Sequence, residues 1–438
     1  MKKNHKLLIV QGPSQALNAI SSLNPNVTIR KRHRVGEMNK KQTEFLIGCL
    51  VAGSQNRRLL FATIKLIRSL GFKKIHNTLD LDARYEKGKI SYRDYCDKLR
   101  KRLRCKKYDE VYVARRMAYL NEAVLITQRG AKKICYGDGY GGFDNGFPNW
   151  AQPQAGVAFS DLDECRGPIV FEENLRGTLG KKTNITPLTQ LNKNISKCAK
   201  SYFRSIQNLK KELAKSSLSL GLITTSNLTE SGAVSSLSEE IDLYLENILS
   251  LIRPNYNFIY FVKNHPRQTK DQSKILVQQL IKAGIECKEF KYNQEVPAEL
   301  LLKILKPKDL IPLLSSTGYV SRLINPGIRI LYSQKMAEEC MKKLKKPSFN
   351  WRLYPEKLQA LTLMTSYPWD SCVKYPNLTL FSFAFRGLGL TFPPVSKTLK
   401  AEKQGQFKAL KSSFLRLLLL SLQDHPRRLK TIQSLIPA

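Results

Sequence analysis

The sequence predicts an α/β protein built from two Rossmann-like domains. Two observations lead to this prediction. Short apolar runs of strand length alternate with helical patterns in both halves of the chain, and a polar, basic region separates the two series near residues 141–215. Strands and helices in turn favour a parallel sheet with both faces covered. A chain of 438 residues, 42% of them hydrophobic, is long enough to bury two such cores.

The first series begins with a predicted strand at Lys6–Val10, a turn containing Gly12, Pro13 and Ser14, and a helix at 15–20. Strand, glycine turn and helix in this order are typical of the start of a Rossmann-like domain. The further strands of this series are predicted at 45–52, 110–114 and 132–136. Its further helices are predicted at 56–70, 91–103 and 119–128.

The second series repeats the alternation after the polar region. Its strands are predicted at 218–225, 258–263, 285–290, 310–314 and 328–332, and its helices at 239–251, 270–283 and from 319 onward. We therefore predict a domain at 1–190, a linker at 191–215, a second domain at 216–350 and a partly helical extension at 351–438. Within the extension, apolar residues of 404–423 fall at helical spacing among lysines. They predict either an interfacial helix on anionic lipid or a helix docked on the protein body.

The composition is strongly basic, with 73 Lys and Arg against 35 Asp and Glu and a formal net charge of +38. Such an excess attracts nucleic acid, an acidic membrane face or an acidic polymer, although a merely solvated basic surface has the same composition. Nine cysteines without CxxC spacing predict neither a zinc site nor a disulfide framework. We therefore expect a reducing, cytoplasmic compartment. No apolar run is long enough for a signal peptide or a membrane span, so we expect a protein that is not integral to a membrane.

The first candidate for chemistry is Asp138, which stands between Gly137 and Gly139 directly after the strand predicted at 132–136. A carboxylate at a strand's carboxyl end is suited to act as a general base toward a hydroxyl, but an Asp in a glycine turn is also a common structural feature. Residues 137–142 match GxGxxG literally. The following residues cannot begin a helix, so a dinucleotide site is not predicted there.

Two further polar groups follow strands of the second series. One comprises Lys263, His265, Pro266 and Arg267, whose cationic side chains favour a phosphate dianion and whose alternative role is an ordinary turn. The other contains hydroxyls at the start of a predicted helix, which bind phosphate or simply cap the helix. Its members are Ser315, Ser316 and Thr317.

These motifs, taken in order, resemble those of the bacterial α-2,8-polysialyltransferase family and related bacterial sialyltransferases. That family has two acidic residues before a Gly, then Lys-x-His-Pro and a Ser/Thr pair. Residues 8–19, 224–232 and the Pro-x-Glu-Leu-Leu run at 297–301 add to the resemblance, which extends from about residue 6 to 332. One departure is Gly137, which stands where the family has its first acidic residue.

The resemblance implies a GT-B-like fold, with the two Rossmann-like domains facing a central cleft, and a metal-independent inverting glycosyltransferase. The enzyme would move sialic acid or a related nonulosonic acid from a CMP-linked donor to a glycan acceptor. Asp138 would be the base, and His265 would assist the CMP leaving group. The implied donor-binding residues are Lys263, Pro266, Arg267, Glu299 (at the ribose hydroxyls), Ser315, Ser316 and Thr317. The implied acceptor or cleft loop residues are Gly12, Pro13, Ser14 and Gly139.

Partners follow from the same resemblance and from the charge. We expect a CMP-sialic acid donor, a glycan or glycolipid acceptor of capsule or lipopolysaccharide synthesis, and peripheral contact with the anionic inner membrane. Two alternatives remain open. One is another GT-B transferase with a CMP- or CDP-linked donor for cell-envelope polymers, and the other is a non-catalytic polyanion-binding protein. Nucleic acid is not an expected partner, because no zinc-finger, RRM-like or helix-turn-helix pattern is found.

Overall fold

The computed structural model describes two compact units. Unit 1 comprises the described residues up to Ser201 together with 295–297, and unit 2 comprises those from Tyr202 onward, apart from 295–297. The described residues are 4–23, 40–48, 55–114, 119–136, 163–167, 182–185, 188–215, 217–226, 228–229, 234–254, 257–266, 268, 270–291, 295–313, 315, 317–325 and 327–331.

Unit 1 contains a parallel sheet whose strand order is β3-β2-β1-β4-β5-β6-β7. The first five strands in this order give the 3-2-1-4-5 arrangement of a Rossmann-like sheet. Its strands are β1 (Lys6–Val10), β2 (Thr43–Ile47), β3 (Lys74–Asn77), β4 (Glu110–Val113), β5 (Lys132–Cys135), β6 (Glu164–Gly167) and β7 (Lys182–Ile185). Its helices are α1 (Pro13–Ser21), α2 (Gln55–Ser69), α3 (Leu79–Glu86), α4 (Tyr92–Arg102), α5 (Tyr119–Thr127) and the first half of α6 (Leu188–Lys215).

The helices of unit 1 form two layers. Helices α3, α4 and α5 cover one face, where Leu7 and Ile9 of β1 pack in a core with Tyr95 and Leu99 of α4. Helices α1, α2 and α6 form a second group, because α1 contacts α2 and both are bonded to α6. The two groups follow from chain direction, since the crossovers on either side of β1 run to opposite edges of the sheet.

Helix α6 occupies the segment that the sequence analysis gave as the linker. Its apolar side chains recur at helical spacing and are buried: Leu191, Ile195, Cys198, Tyr202, Ile206 and Leu209. Asn194 Nδ2 donates to Ser21 Oγ over 3.0 Å, which attaches the first half of the helix to α1. The division between the two units therefore falls within a helix, after Ser201.

Unit 2 contains a parallel sheet in the order β10-β9-β8-β11-β12, which is again 3-2-1-4-5 when counted from β8. Its strands are β8 (Ser219–Thr224), β9 (Phe258–Lys263), β10 (Cys287–Glu289), β11 (Asp309–Pro312) and β12 (Arg329–Ile330). Its helices are α7 (Leu237–Leu251), α8 (Lys270–Lys282), α9 (Ala298–Leu305) and α10 (Thr317–Ile324), with the second half of α6. The core on the α7 and α8 side contains Tyr244, Val262 and Leu276.

The predicted pair of Rossmann-like domains is confirmed by the two parallel sheets, which share the order 3-2-1-4-5 over five strands. Strands β3, β6 and β7 and helices α3, α6 and α9 were not predicted. The sequences of these strands, KIHN, ECRG and KTNI, contain no run of apolar residues, and α6 was obscured by its lysines. The predicted extension at 351–438 lies outside the described residues. Within the described part of the chain, no helix is both long and apolar enough to span a membrane.

Candidate functional site

The strand order of unit 2 places its topological switch point between β8 and β11, at their carboxyl ends. Ligands of open α/β sheets bind at this position, because the chain leaves toward opposite edges and opens a crevice there. The two ends are tied together, since Ser226 Oγ donates to the carbonyl of Leu313 over 2.7 Å. We call the carboxyl ends of β8, β9 and β11 in unit 2, with the first turns of α9 and α10, the polar edge.

The first part of the polar edge combines a buried lysine, a threonine and a glutamate. Lys263 ends β9 and pairs in register with Thr224 of β8, so both side chains point to the same face of the sheet. Lys263 is 4% exposed, and its Nζ donates to the carbonyl of Asn264 over 3.1 Å. Thr224 is 3% exposed, and its Oγ1 has no hydrogen-bond partner in the described structure.

Glu299 stands in the first turn of α9 and is partly buried. Burial raises the pKa of the Glu299 carboxyl above its ordinary value, and the positive charge of Lys263 acts in the opposite direction. The sequence-predicted residues Lys263 and Glu299 are thus close enough to interact electrostatically. A ligand with hydroxyl donors would satisfy such a carboxylate at this position.

The second part of the polar edge fixes the backbone of His265. Its amide donates to Thr225 Oγ1 over 3.1 Å and to Gln268 Oε1 over 3.0 Å, and Thr225 Oγ1 itself donates to Gln268 Oε1 over 2.6 Å. Gln268 Nε2 donates to the carbonyl of Ser226. The turn after β9 is therefore held by the buried side chains of Thr225 and Gln268. This limits the positions that the imidazole of His265 can reach.

Glu240 of α7 lies beneath this turn and is 1% exposed. Its carboxylate accepts from Gln268 Nε2 over 3.0 Å, from Tyr244 OH over 2.7 Å, and from the amides of Leu228 and Thr229 over 3.1 and 2.8 Å. A buried carboxylate is tolerated when its lone pairs are filled in this way. Glu240 thus links α7 to the segment that carries His265.

The third part of the polar edge is the start of α10. The amide of Thr317 donates to Ser315 Oγ over 3.3 Å, and the two hydroxyl groups lie 2.9 Å apart. Ser315 therefore accepts from the residue two positions further along, as in a Ser turn, directly before α10. Thr317 is 4% exposed and Ser315 is partly buried. The hydroxyls of Ser315 and Thr317, placed at a helix start, are a suitable donor set for phosphate.

Unit 1 has a matching switch point between β1 and β4. Gly12 caps α1 in an extended conformation and Pro13 occupies the first helical position, so the predicted loop of Gly12, Pro13 and Ser14 lies at this edge of the sheet. Beside it, Tyr136 follows β5, and its hydroxyl donates to the carbonyl of Ile9 over 2.8 Å. Asp138 and Gly139, which follow Tyr136 in sequence, lie outside the described residues, as do Arg267 and Ser316.

Comparison with known proteins finds a family model that matches one segment of the chain. Residues 178–333 match the family model described as alpha-2,8-polysialyltransferase (POLYST). This segment is polysialyltransferase-like. No curated protein sequence matches the chain. Among solved structures, the chain is similar to the crystal structure of an α/β-galactoside α-2,3-sialyltransferase from the luminous marine bacterium Photobacterium phosphoreum. The identity is 14% and the TM-score 0.37, over 78% of this chain and 96% of that one.

The family match confirms the predicted resemblance over residues 178–333 and supports the assignment as a sialyltransferase-like enzyme. For residues 6–177 the resemblance stays a prediction. The polysialyltransferase-like segment contains the predicted donor-side residues of the polar edge: Lys263, His265, Pro266, Glu299, Ser315 and Thr317. It also contains three buried residues that were not predicted as site residues, namely Thr224, Glu240 and Gln268. Only their burial and their position in the fold identify them, because a single Thr, Glu or Gln in sequence carries no comparable signal. In the described part of the chain no group of three His, Cys, Asp or Glu side chains is arranged for a metal ion.

Proposed function

We propose that the protein is an inverting glycosyltransferase that moves sialic acid, or a related nonulosonic acid, from a CMP-linked donor to a glycan or glycolipid acceptor. The observation that carries the proposal is the polar edge of unit 2. A buried lysine, a glutamate with a raised pKa, a fixed His265 turn and a hydroxyl-rich helix start are collected at one switch point. The family match over 178–333 supports a CMP-linked donor for this edge.

Each part of the polar edge has a role in this proposal. Glu299 accepts from the ribose hydroxyls, while Lys263, Ser315 and Thr317 face the phosphate. His265 donates a proton or a hydrogen bond to the phosphate as the glycosidic bond breaks. The negative charge on CMP grows at that moment, so donors fixed in advance stabilise the transition state more than the ground state. Asp138 removes the proton from the acceptor hydroxyl.

The proposal is tested by calorimetric binding of CMP, UDP, GDP and single-stranded DNA to the full chain at moderate salt. We expect selective CMP binding that weakens about tenfold in His265→Ala, because one charge-assisted contact to phosphate is lost. His5→Ala, which removes a histidine of unit 1, is the matched control and should bind CMP as the wild type does. A different result would indicate a polyanion-binding protein. In that case the protein would prefer no nucleotide and would bind DNA tightly, salt would abolish the DNA binding, and His265→Ala would not change it.

The chemical step is tested by release of CMP from CMP-sialic acid with a panel of glycan acceptors. Asp138→Asn should lower turnover by about 10² or more while CMP still binds, because the base is needed only in the transfer step. If Asp138→Asn transfers as fast as the wild type, a different group removes the acceptor proton. Transfer from a CDP-linked alcohol in place of CMP-sialic acid would assign the enzyme to another donor.

A further inference from the structure

The two helix layers of unit 1 differ in charge. Helices α3, α4 and α5 carry equal numbers of acidic and basic residues, so their layer is balanced. The acids are Asp80, Asp82, Glu86, Asp94, Asp97 and Glu122, and the bases are Arg84, Arg93, Lys98, Arg100, Lys101 and Arg102. Helices α1, α2 and residues 188–201 of α6 contain no acid and seven bases. The bases are Arg57, Arg58, Lys65, Arg68, Lys193, Lys197 and Lys200.

An exposed phenylalanine stands among the cations of α2. Phe61 is 67% exposed. Arg58 precedes it by three residues and Lys65 follows it by four, so both neighbour it on the helix surface, and both are exposed. Arg68 extends the same stripe by one more turn and is also exposed. A large aromatic side chain in water between cations costs hydrophobic free energy that a partner at this face would recover.

The first half of α6 adds Lys193, Lys197 and Lys200 to the cations of α2. Ser69 Oγ at the end of α2 donates to Cys198 Sγ of α6 over 3.4 Å, which sets the two helices side by side. Burial, and then the positive charges of Lys40 and Lys193, lower the pKa of Lys197. Like charges are therefore crowded at this end of the face, and an anionic partner would relieve their repulsion.

We propose that the face formed by α2 and the first half of α6 docks on an anionic lipid bilayer. Cations supply the attraction to acidic headgroups, and Phe61 enters the interface between headgroups and acyl chains. The exposed aromatic favours a bilayer over a soluble acidic polymer, because a polymer would neutralise the cations without burying a phenyl ring. The proposal does not depend on the donor chemistry of unit 2, since it rests on other residues in another unit.

The test is sedimentation of the full chain with phosphatidylcholine vesicles that contain or lack phosphatidylglycerol. We expect binding only to the anionic vesicles. The double variant Arg58→Gln and Lys65→Gln should lower the partition coefficient by about tenfold or more, since two cations near the headgroups are removed. Arg93→Gln with Lys98→Gln removes the same charge from exposed positions of α4 and is the matched control, with an unchanged partition expected.

Phe61→Ser separates a bilayer from an acidic polymer. It should weaken vesicle binding by about tenfold while retention on immobilised heparin stays the same. Vesicle binding that Phe61→Ser preserves, or that both charge variants weaken equally, overturns the proposal. CMP binding and thermal unfolding should be the same in all three variants, because these side chains are exposed and belong to unit 1. If these variants lost CMP binding while their vesicle binding changed as predicted, the nucleotide site would extend beyond unit 2. That result would count against the proposed function but not against the lipid face.

Discussion

At the scale of single residues, two buried threonines make a useful comparison. Thr224 ends β8 at the polar edge and Thr43 begins β2 in unit 1. Both are almost fully buried, and the Oγ1 of each has no hydrogen-bond partner in the described structure. An unsatisfied buried hydroxyl costs free energy. Only Thr224 lies beside a predicted ligand position, next to Lys263, so we infer that its hydroxyl is satisfied by the donor nucleotide.

We predict that Thr224→Val weakens CMP binding about tenfold while the melting temperature of the free protein is kept or raised. Valine has the shape of threonine, so the variant removes a polar atom without opening a cavity. Thr43→Val is the control: it should raise stability in the same way and leave CMP affinity unchanged. Calorimetry and thermal unfolding measure both effects. Equal CMP affinity in the two variants would show that the Thr224 hydroxyl does not contact the ligand.

The raised pKa of Glu299 predicts that the free energy of unfolding and the CMP affinity change in opposite directions with pH. Because burial raises the pKa of its carboxyl in the folded protein, the unfolded chain ionises first. The free energy of unfolding should therefore fall as pH rises through the pKa of Glu299. If ribose hydroxyls donate to the carboxylate, CMP affinity should rise over the same range. Glu299→Gln should remove both slopes, as measured by thermal unfolding and CMP titration from about pH 4 to pH 8.

One result would contradict the proposed contact between Glu299 and the ribose. CMP affinity that rises with pH to the same extent in the wild type and in Glu299→Gln would mean that ionisation of the CMP phosphate causes the whole effect. The carboxylate would then have no part in ribose binding.

At the scale of elements, two helices begin directly after a serine whose side chain caps them. Ser91 precedes α4, accepts from the amide of Asp94 over 3.1 Å and forms a capping box with it. Ser236 precedes α7 and accepts from the amide of Glu239 over 3.2 Å. Such caps satisfy amides that the helix cannot pair internally.

We predict that Ser91→Ala and Ser236→Ala each lower the free energy of unfolding by about 1 kcal/mol. Ser235→Ala, one residue before the second cap, should change it little. Urea unfolding measures the effect. A loss in Ser235→Ala as large as that in Ser236→Ala would show that the cap hydroxyl is not the cause.

Helix α6 shows why sequence analysis does not predict every helix. Its buried positions follow a clear helical period, but lysines are so frequent between them that composition suggested a linker. Burial against α1 and α2 stabilises the helix, and that tertiary contact has no local signature.

At the scale of the whole molecule, the two units should respond differently to the donor nucleotide. We predict that CMP slows amide hydrogen exchange at residues 224–226, 263–268, 299 and 315–317 of unit 2. Exchange in β1, β4 and α2 of unit 1 should stay unchanged, because a ligand protects the segments that it orders. Mass spectrometry of the full chain with and without CMP measures this. Protection confined to unit 1 would place the nucleotide on the wrong unit for this proposal.

By itself, the sequence determined the α/β class, the two series of strands and helices, and the motif order that resembles polysialyltransferases. These features depend on local periodicity and on residue types at strand ends, and both can be recognised from short stretches of consecutive residues. Tertiary structure alone decided the strand order 3-2-1-4-5 in both sheets and therefore the position of each switch point. It also decided the partners of Thr225, Glu240 and Gln268 and the separation of charge between the helix layers of unit 1. Such features join residues far apart in the chain, so no local pattern specifies them.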